Sequence, residues 1–465
     1  MTALSRRNFL GLSAAAGATV AAKTVLLDPD PLWAMPQVVA PSDRVRFGII
    51  GIGMQGSSLL GTSISLPGVE CAAACDLYDG RHTLSREITN SPTLPVTRRY
   101  QELLNNKEID CIIAAVPDHW HKQIVVDAVN AGKDIYCEKP MSHSPADGIE
   151  MVAAAKKSGR IVQIGSQRVS SVLLAKAREL IQQGALGDLM MVEGSLGRND
   201  PTGAWEYPPP PDLSPENLDW NTWQGTVPKV AFNPKIFARW RCWKEYGTGV
   251  AGDLLVHLIS GMIYVLNINE APKRAMAMGG ILRWNDGRNM PDVHATLYEY
   301  ELRGATPPGD HNGPVLHSNI PVYMRLNLGT ETPESYRFMG SKGILDIFGE
   351  QIMFTPQSGK DEAPSYYSGG FPHAMREAYI KQWHAEHDPA VGHEPVVETI
   401  VFKSLQFDDL KPHLWNFFQA VKSRKPVTED ATFGYHAALA CHMANESYFR
   451  NSAVYWDDRA NTIKS

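Results

Sequence analysis

The sequence predicts a two-domain α/β chain, in which a doubly wound parallel sheet precedes an α+β domain with antiparallel strands. Three observations support this prediction. Short apolar runs alternate with helix-like segments between residues 45 and 165, which is typical of a parallel sheet. A glycine-rich turn directly follows the first apolar run. After about Ser170 the strand candidates have hairpin-like spacing, which favours antiparallel pairing.

The composition is that of a globular protein with two or three domains. The chain has 465 residues, of which 43% are hydrophobic and 20% charged, and its formal net charge is −6. A net negative charge makes nucleic acid a poor candidate as partner. No apolar stretch is long and unbroken enough to predict a transmembrane helix in the mature protein.

The N-terminus has the layout of an export signal. Arg6-Arg7 is followed by Phe9-Leu10 and by an Ala-rich apolar run from Gly11 to Ala22, and this pattern resembles the twin-arginine signal. The alternative is an ordinary basic N-terminus on a short helix. We expect residues 1–42 to be signal and linker, with export through the twin-arginine machinery to the periplasm or beyond. Cleavage sites are possible at Ala14–Ala16, at Thr19–Ala22 and around Ala34.

Neither the cysteines nor the histidines indicate a metal site. The six cysteines do not make a disulfide framework in a chain of this length. Cys71 and Cys75 lack the second pair that a zinc site needs. His384-Ala385-Glu386-His387 departs from the H-E-x-x-H spacing, and a solvated loop near Pro389 explains it better. We therefore expect no metal.

The first domain is predicted to span residues 43–168. Its strand candidates are Val45–Ile50, Val69–Cys75, Asp110–Val116, Lys133–Cys137 and Ile161–Ile164, and its clearest helices are Lys122–Asn130 and Ala146–Lys157.

The second domain is predicted to span residues 169–465. Its strand candidates are Leu189–Glu193, His294–Glu301, Pro321–Asn327, Tyr336–Gly340 and Ile344–Ile347, and its helix candidates are Ala175–Gln183, Leu414–Val421 and Ala431–Phe449. The stretch from Gly349 to Ile400 is too irregular to assign.

The glycine-rich turn predicts a dinucleotide site. Residues 51–56 read G-I-G-M-Q-G and lie between a strand and a helix, as the G-x-G-x-x-G motif requires. Its glycines would let backbone N–H groups approach a pyrophosphate at the helix N-terminus. Asp76 ends the second strand, where a carboxylate accepts hydrogen bonds from ribose hydroxyls and repels a 2′-phosphate. We therefore expect NAD, with NADP less favoured, although Arg81 nearby could accept a phosphate.

Two further motifs extend the pattern to a family. Glu138-Lys139-Pro140 follows one strand, and Pro117-Asp118-His119-Trp120-His121 follows the one before it. With the glycine turn and Asp76, these motifs resemble the glucose–fructose oxidoreductase, inositol dehydrogenase and rhizopine-catabolism (Gfo/Idh/MocA) family. The resemblance implies a Rossmann domain, a second domain with an open, mostly antiparallel sheet, and a sheet that often forms an oligomer interface. We expect the cofactor to be bound by Gly51, Gly53, Met54, Gln55, Gly56, Asp76, Pro117, His121 and Glu138.

Three side chains are the catalytic candidates. By resemblance, Lys139 is the lysine of the family's Glu-Lys-Pro motif, and it follows a strand at the ligand-binding edge of the sheet. Asp253, His257, Ser260 and Tyr264 share one stripe of an otherwise apolar helix. Periodicity alone leaves a pocket and a closed buried network equally open. The family's Asp-x-x-x-His pair favours a site, with His257 as acid/base and Asp253 orienting it or the substrate.

Other residues have weaker support. His121 would either line the nicotinamide pocket or cap and pack its helix. Gln167 and Arg168 resemble a family loop near the substrate. The aromatic and cationic set Arg239, Trp240, Arg241 and Trp243 would stack on a sugar, or else belong to the core or a subunit interface. We assign five of these residues to the substrate site: Gln167, Arg168, Arg239, Trp240 and Tyr264.

The predicted function is hydride transfer between a tightly bound nicotinamide and a hydroxyl of a small sugar or cyclitol, in a homo-oligomer. Tight binding follows from the export signal, because free NAD is scarce outside the inner membrane. Two alternatives remain: a redox-neutral glycoside-cleaving enzyme that uses the same cofactor, and a non-catalytic sugar or nucleotide sensor.

Overall fold

A computed structural model describes residues 23–27, 40, 43–302, 319–357, 365–387, 398–404 and 408–465. The twin-arginine motif and the predicted cleavage sites lie outside these residues, so export remains a prediction.

The first domain is a parallel sheet with helices on both faces. Within the described residues its six strands are β2 (Val45–Ile50), β3 (Val69–Cys75), β4 (Val96–Thr97), β5 (Cys111–Ala114), β6 (Asp134–Cys137) and β7 (Val162–Ile164). All pair in parallel, in the order β4-β3-β2-β5-β6-β7. The helices are α1 (Met54–Ile64), α2 (Asp79–Thr89), α3 (Tyr100–Asn105), α4 (His121–Asn130) and α5 (Pro145–Ser158). The doubly wound prediction is confirmed. Strands β2 and β3 have the predicted bounds, and β5, β6 and β7 are one to three residues shorter than the apolar runs indicated.

The second domain is built on a large, mostly antiparallel sheet. Its strands are β1 (Lys23–Leu27), β8 (Leu189–Gly197), β9 (Arg274–Gly280), β10 (Val293–Glu301), β11 (Asn319–Asn327), β12 (Thr332–Gly340), β13 (Gly343–Phe348), β14 (Gln351–Pro356), β15 (Ile400–Ser404), β16 (Val454–Asp457) and β17 (Thr462–Lys464). The order is β1-β15-β14-β13-β12-β8-β11-β10-β9-β16-β17. The β1/β15 and β8/β11 pairs are parallel and the others antiparallel, which confirms the α+β prediction.

The remaining helices are α6 (Val172–Gln182), α7 (Trp220–Trp223), α8 (Pro234–Ala238), α9 (Val256–Leu266), α10 (Ser365–Ser368), α11 (His373–His387), α12 (Leu410–Ser423) and α13 (Ala431–Arg450). Helices α6 and α13 pack on one face of the sheet, and α9 packs against both of them. Burial alternates along β10, as expected when only one face is covered. The Tyr298 hydroxyl donates to the carbonyl of Ala440 in α13 at 2.9 Å.

Helix α12 packs against the first domain, although it follows the second in sequence. Leu414, Phe417 and Phe418 share a core with Phe47 and Ile49 of β2, and the rings of Phe47 and Phe418 lie 5.7 Å apart. The chain therefore returns to its first domain near the C-terminus, which strand and helix patterns do not reveal.

Several elements differ from the sequence expectations. Strand β1 lies within the segment expected to be signal and linker. His384–His387 is the end of helix α11, so the expectation of a loop there is wrong. No group of three or more potential metal ligands occurs in the described part of the chain. Likewise, none of its helices is long and apolar enough to cross a membrane.

Candidate active site

The glycine-rich turn joins β2 to α1 at the carboxyl edge of the parallel sheet. Gly51 has φ +86°, and a Cβ there would lie 2.4 Å from the Ala115 carbonyl oxygen. At Gly56 a Cβ would lie 2.0 Å from the oxygen of Gly51, whereas at Gly53 it would meet only the Arg81 guanidinium at 3.6 Å. The outer glycines are therefore required by packing, and Gly53 leaves the first turn of an 11-residue helix open to a ligand.

Asp76 is fixed in place at the end of β3. Its Oδ2 accepts from Ile52 N–H at 2.8 Å and its Oδ1 from Tyr78 N–H at 3.0 Å. Arg81 Nη1 lies 3.4 Å from Oδ2. Asp76, Arg81 and Pro117 line a cavity of about 270 Å³ beside the glycine turn, a place suited to a nucleoside.

A larger cleft of about 650 Å³ opens from the turn between the two domains. It contains most of the candidate site residues and is lined by Gly53, Met54, Gln55, Pro117, Glu138, Lys139, Gln167, Arg198, Trp205, Tyr207, Trp223, Phe237, Trp240, Arg241, Asp253 and His257, among others. Its size is that of small-molecule sites in general.

A charged triad of side chains lies in this cleft. Lys139 Nζ donates to Asp253 Oδ1 at 2.9 Å and to the Asp253 carbonyl at 2.7 Å. Arg241 Nε donates to the same Oδ1 at 2.9 Å. Burial opposes ionisation of Asp253, but the charges of Lys139 and Arg241 prevail and hold its pKa well below the ordinary value. Asp253 is therefore an ionised, buried carboxylate that fixes both cations.

His257 is next to this triad and is neutral. Burial lowers its pKa well below the usual value, and the charges of Lys139 and Arg168 lower it further. Its Nδ1 is buried and has no hydrogen-bond partner among the described residues. The Tyr336 hydroxyl donates to the His257 carbonyl at 3.0 Å, which fixes the backbone there. A neutral imidazole has a nitrogen lone pair that can accept a proton, and His257 lines the cleft.

A π-helical turn positions Asp253 and His257. Residues Ala251–Leu255 form this turn immediately before α9, and π turns are frequent at functional sites. A Cβ at Gly252 would lie 1.7 Å from Thr248 Oγ1 and 3.1 Å from Pro140 Cγ. Glycine therefore lets this turn approach the Glu-Lys-Pro segment closely enough for the contact between Lys139 and Asp253.

Glu138 links the glycine turn to the strand ends. Its Oε1 accepts from Gln55 Nε2 at 2.8 Å and from Gln167 Nε2 at 3.0 Å, while its Oε2 accepts from Lys139 N–H at 3.2 Å. Burial raises its pKa, against the opposing charge of Lys139. Glu138 therefore connects Gln55, in the middle of the glycine motif, to the backbone of Lys139.

Four residues assigned from the sequence do not contribute side chains to the cleft. Arg168 pairs with Glu334 at 2.9 Å and Asp409 at 2.8 Å in a neighbouring cavity. Arg239 is held by the Tyr207 carbonyl at 3.1 Å and by nearby carboxylates.

The other two are Tyr264 and His121. The Arg178 guanidinium lies over the Tyr264 ring, 4.9 Å from its centroid. Tyr264 lies seven residues beyond His257 in the regular helix α9, which is about 10 Å along the helix axis, so a shared stripe does not bring it to the cleft. His121 is fully buried, with Nδ1 2.7 Å from the Pro140 oxygen and Nε2 2.9 Å from the Val116 oxygen. It therefore packs behind the Glu-Lys-Pro segment, which favours the packing alternative.

The cleft also contains residues that the sequence analysis missed. The sequence places Arg241 in a set that would stack on a sugar or belong to the core or an interface, and gives no sign that it binds Asp253. Arg198, Trp205 and Tyr207 come from the loop after β8. No motif marks them, because their role depends on a loop that the fold brings over the sheet edge.

Comparison with known proteins identifies the first domain. Residues 45–166 match the Gfo/Idh/MocA model described as an oxidoreductase family with an NAD-binding Rossmann fold. The first domain is thus similar to the NAD-binding domain of this family over residues 45–166. Its glycine cradle, its open helix N-terminus and Asp76 fit a dinucleotide, which agrees with the match.

Relatives match the chain to different extents. The inositol 2-dehydrogenase of Salmonella paratyphi B is 32% identical over 152 residues, which cover 32% of this chain and 45% of that protein. The chain thus matches less than half the length of this relative. A glycosyl hydrolase family 109 protein of Saccharopolyspora erythraea is 22% identical over 392 residues, covering 77% of this chain and 76% of the relative.

The similarity to solved structures covers most of the chain. A levoglucosan dehydrogenase in complex with NADH and levoglucosan matches with a TM-score of 0.60 and 18% identity, covering 89% of this chain and 99% of that one. At this identity the likeness shows a shared two-domain fold.

Proposed function

We propose that this protein is a nicotinamide-dependent oxidoreductase that transfers a hydride between its cofactor and a hydroxyl of a sugar or cyclitol. One observation carries the proposal: Lys139, Asp253 and His257 lie in the same cleft as Gly53 and Glu138 of the NAD-binding domain. Hydride transfer needs a proton acceptor and a cation beside the place where the dinucleotide binds.

The residues divide the chemistry among them. When bound, the nicotinamide supplies the hydride acceptor for an alcohol carbon. The neutral imidazole of His257 takes the hydroxyl proton as the alcohol becomes a carbonyl compound. The Lys139 ammonium stabilises the negative charge that develops on the oxygen. Asp253 orients that ammonium and does not itself take up the proton, because its pKa is held low.

NAD is the proposed cofactor, in preference to NADP. Both Asp76 oxygens accept hydrogen bonds from backbone N–H groups. The carboxylate lines the nucleoside cavity, where its negative charge would repel a 2′-phosphate. Arg81 already contacts Asp76 and the ring of Phe237, at 5.1 Å from its centroid, so it is partly occupied.

The substrate class is supported by relatives and by the cleft. The names inositol 2-dehydrogenase and levoglucosan dehydrogenase indicate cyclitol and sugar substrates in those proteins. In this chain the aromatic residues Trp240 and Tyr207 line the cleft, and aromatic rings suit the C–H groups of a sugar ring.

A glycoside-cleaving reaction is the second candidate. Of the two sequence relatives described above, the glycosyl hydrolase family 109 protein matches the larger share of this chain. Such an enzyme would oxidise, eliminate and re-reduce the sugar with one bound cofactor. The present lysine and histidine would serve its first step equally well.

We further propose export by the twin-arginine route, with NAD held tightly. This route carries folded proteins, so the cofactor is acquired in the cytoplasm and regenerated in place. Purified protein should then contain nearly stoichiometric NAD after extensive dialysis. Protein that arrives empty and binds added NAD weakly would contradict this proposal.

A homo-oligomer is proposed from the open face of the large sheet. Met276, Met278 and Leu297 are 41%, 67% and 48% exposed on adjacent strands β9 and β10. An exposed apolar patch of this kind favours a protein partner, and sedimentation of the purified protein tests it.

One experiment separates the candidate functions. The holo-protein is incubated with free sugars, cyclitols and aryl glycosides while reduced nicotinamide and released aglycone are both followed. Accumulation of reduced cofactor with a sugar or cyclitol supports the oxidoreductase, and aglycone release without net reduction supports the glycoside-cleaving enzyme. Sugar binding without either signal would instead support a sensor.

A further inference from the structure

The cleft contains a cation that the proposed chemistry does not use. Arg198 follows β8, lines the cleft and is partly exposed. Among the described residues its side chain makes no salt bridge within 4.0 Å. Asp200, two residues further along the chain, accepts from Gly203 N–H at 2.6 Å through its Oδ1. A half-buried guanidinium without a carboxylate is available for an anionic ligand.

A second guanidinium lies in the same part of the cleft. Arg241 uses Nε to bind Asp253 and lies over the Trp240 ring at 4.2 Å from its centroid. This is the only hydrogen bond of its guanidinium that the described part of the chain shows, so its terminal nitrogens remain available as donors.

Tyr207 lines the same cleft as these two arginines and His257. Burial raises the pKa of its hydroxyl, while the charges of Arg241 and Arg198 act in the opposite direction. The charge of Arg198 also lowers the pKa of the His257 imidazole, after burial, Lys139 and Arg168. The two arginines and the phenol are thus donors in the cleft that contains the proposed proton acceptor.

The wall that carries Arg198 and Tyr207 is held rigidly. Between them, Trp205 has a positive φ of 63° and is 1% exposed, a backbone conformation that a bulky residue adopts only when its surroundings enforce it. Arg288 donates to the Ala204 carbonyl at 2.8 Å. A site built on such a loop is preformed.

The cofactor does not account for Arg198. The guanidinium of Arg81 lies 3.6 Å from where a Cβ of Gly53 would be, so Arg81 is the cation beside the expected pyrophosphate. Of the other charged groups lining the cleft, Lys139 and Asp253 pair with each other, and Glu138 is hydrogen-bonded to two amides. Arg198 leaves an uncompensated positive charge on the substrate side.

We propose that Arg198, Arg241 and Tyr207 bind a carboxylate of the substrate, so that the sugar oxidised at Lys139 and His257 is a sugar acid such as a uronic or aldonic acid. This inference rests on the proposed function and narrows its substrate class. Two planar guanidinium groups and a phenol match the several acceptor sites of a carboxylate, whereas a neutral sugar would leave Arg198 unpaired.

The test compares sugar acids with neutral sugars, and D-glucuronate and D-glucuronamide are the pair that differs least apart from charge. Binding of D-glucuronate, D-galacturonate and D-gluconate to the NAD-loaded protein is measured by calorimetry, beside D-glucuronamide, D-glucose and glucose 6-phosphate. We expect at least one acid to bind tenfold or more tightly than the neutral sugars. We expect Arg198→Gln to remove roughly that preference, without changing the binding of the neutral sugars. Arg198→Lys should restore part of it, and Arg450→Gln, which removes an arginine far from the cleft, should change nothing.

The outcomes distinguish this inference from the proposed function. If neutral sugars reduce the cofactor and no acid binds better than its neutral counterpart, the carboxylate site is overturned and the oxidoreductase stands. A preference for glucose 6-phosphate alone, or an acid preference that survives in Arg198→Gln, also overturns it. If an acid binds through Arg198 but no panel sugar reduces the cofactor, the carboxylate site stands and the oxidoreductase fails.

Discussion

At the scale of single residues, the properties of the site depend on ion pairs that form within the protein itself. Asp253 binds Lys139 and Arg241 through one oxygen, so a buried carboxylate stays ionised and the lysine stays oriented. The sequence predicted Lys139, Asp253 and His257 because each belongs to a local motif. It missed Arg198 and Tyr207 as site residues because no local pattern distinguishes a ligand-facing arginine or tyrosine from one that packs.

Asp76 should determine the choice between cofactors. Asp76→Asn removes the negative charge near the ribose while keeping an oxygen for one backbone N–H. We expect the affinity for NADP(H) relative to NAD(H) to rise by about an order of magnitude, since one repulsive charge is removed. Fluorescence titration of both cofactors measures this. Glu87→Gln, on the exposed face of α2, is the control, and a wild-type protein that prefers NADP(H) would contradict the assignment.

At the scale of elements, helical periodicity does not predict the π turn at Ala251–Leu255. A regular helix places Asp253, His257 and Tyr264 on one stripe, but the turn changes the register between Asp253 and His257. Tyr264 lies under Arg178 because it is about 10 Å farther along the axis of α9 than His257. The strands of the parallel sheet were predictable because each is a continuous apolar run. Strand β1 was not, because its pairing partner β15 is nearly 400 residues away in sequence.

Gly252→Ala should disturb the site without removing any functional group. The added Cβ would lie 1.7 Å from Thr248 Oγ1, so the π turn must move away from Pro140 and separate Asp253 from Lys139. We expect a loss of turnover of roughly tenfold or more with cofactor binding retained. Gly61→Ala in α1 is the matched control, because its Cβ would meet only Ile88 Cγ2 at 3.9 Å and would favour the helix. Full turnover in Gly252→Ala would show that the turn does not set the geometry.

At the scale of the whole molecule, helix α12 fastens the end of the chain to the first domain. His413 is central to this contact: it is fully buried, with Nε2 2.8 Å from the Ile164 oxygen and Nδ1 2.9 Å from Ser170 Oγ. The two-domain architecture was predictable from the change in strand spacing after Ser170. The return of α12 was not, since an amphipathic helix does not indicate which core it joins.

Acid should weaken this contact. Burial lowers the pKa of His413 from 6.5 to about 4. Above pH 6.5 neither the folded nor the unfolded chain protonates it. Between pH 6.5 and about 4 only the unfolded chain does, so the free energy of unfolding decreases as pH falls, by roughly 1.4 kcal/mol per pH unit from this histidine.

Urea unfolding across this pH range measures the effect as a difference between proteins. Wild type should lose stability more steeply on acidification than His413→Gln, which has no group to titrate there. His373→Gln replaces a histidine whose side chain is 86% exposed, and it should keep the wild-type pH dependence because water surrounds that ring in both states. Parallel curves for wild type and His413→Gln would contradict the burial argument.

The central claim is that Lys139 and His257 carry out hydride transfer in the cleft beside bound NAD. Single-turnover reduction of the bound cofactor, with the best substrate of the sugar panel, tests it most directly. The Lys139→Ala and His257→Ala variants should fold and retain NAD, but the bound cofactor should be reduced roughly a hundredfold more slowly. The Arg450→Gln variant should reduce it at the wild-type rate. Folded, NAD-loaded variants that reduce the cofactor at the wild-type rate would contradict the account.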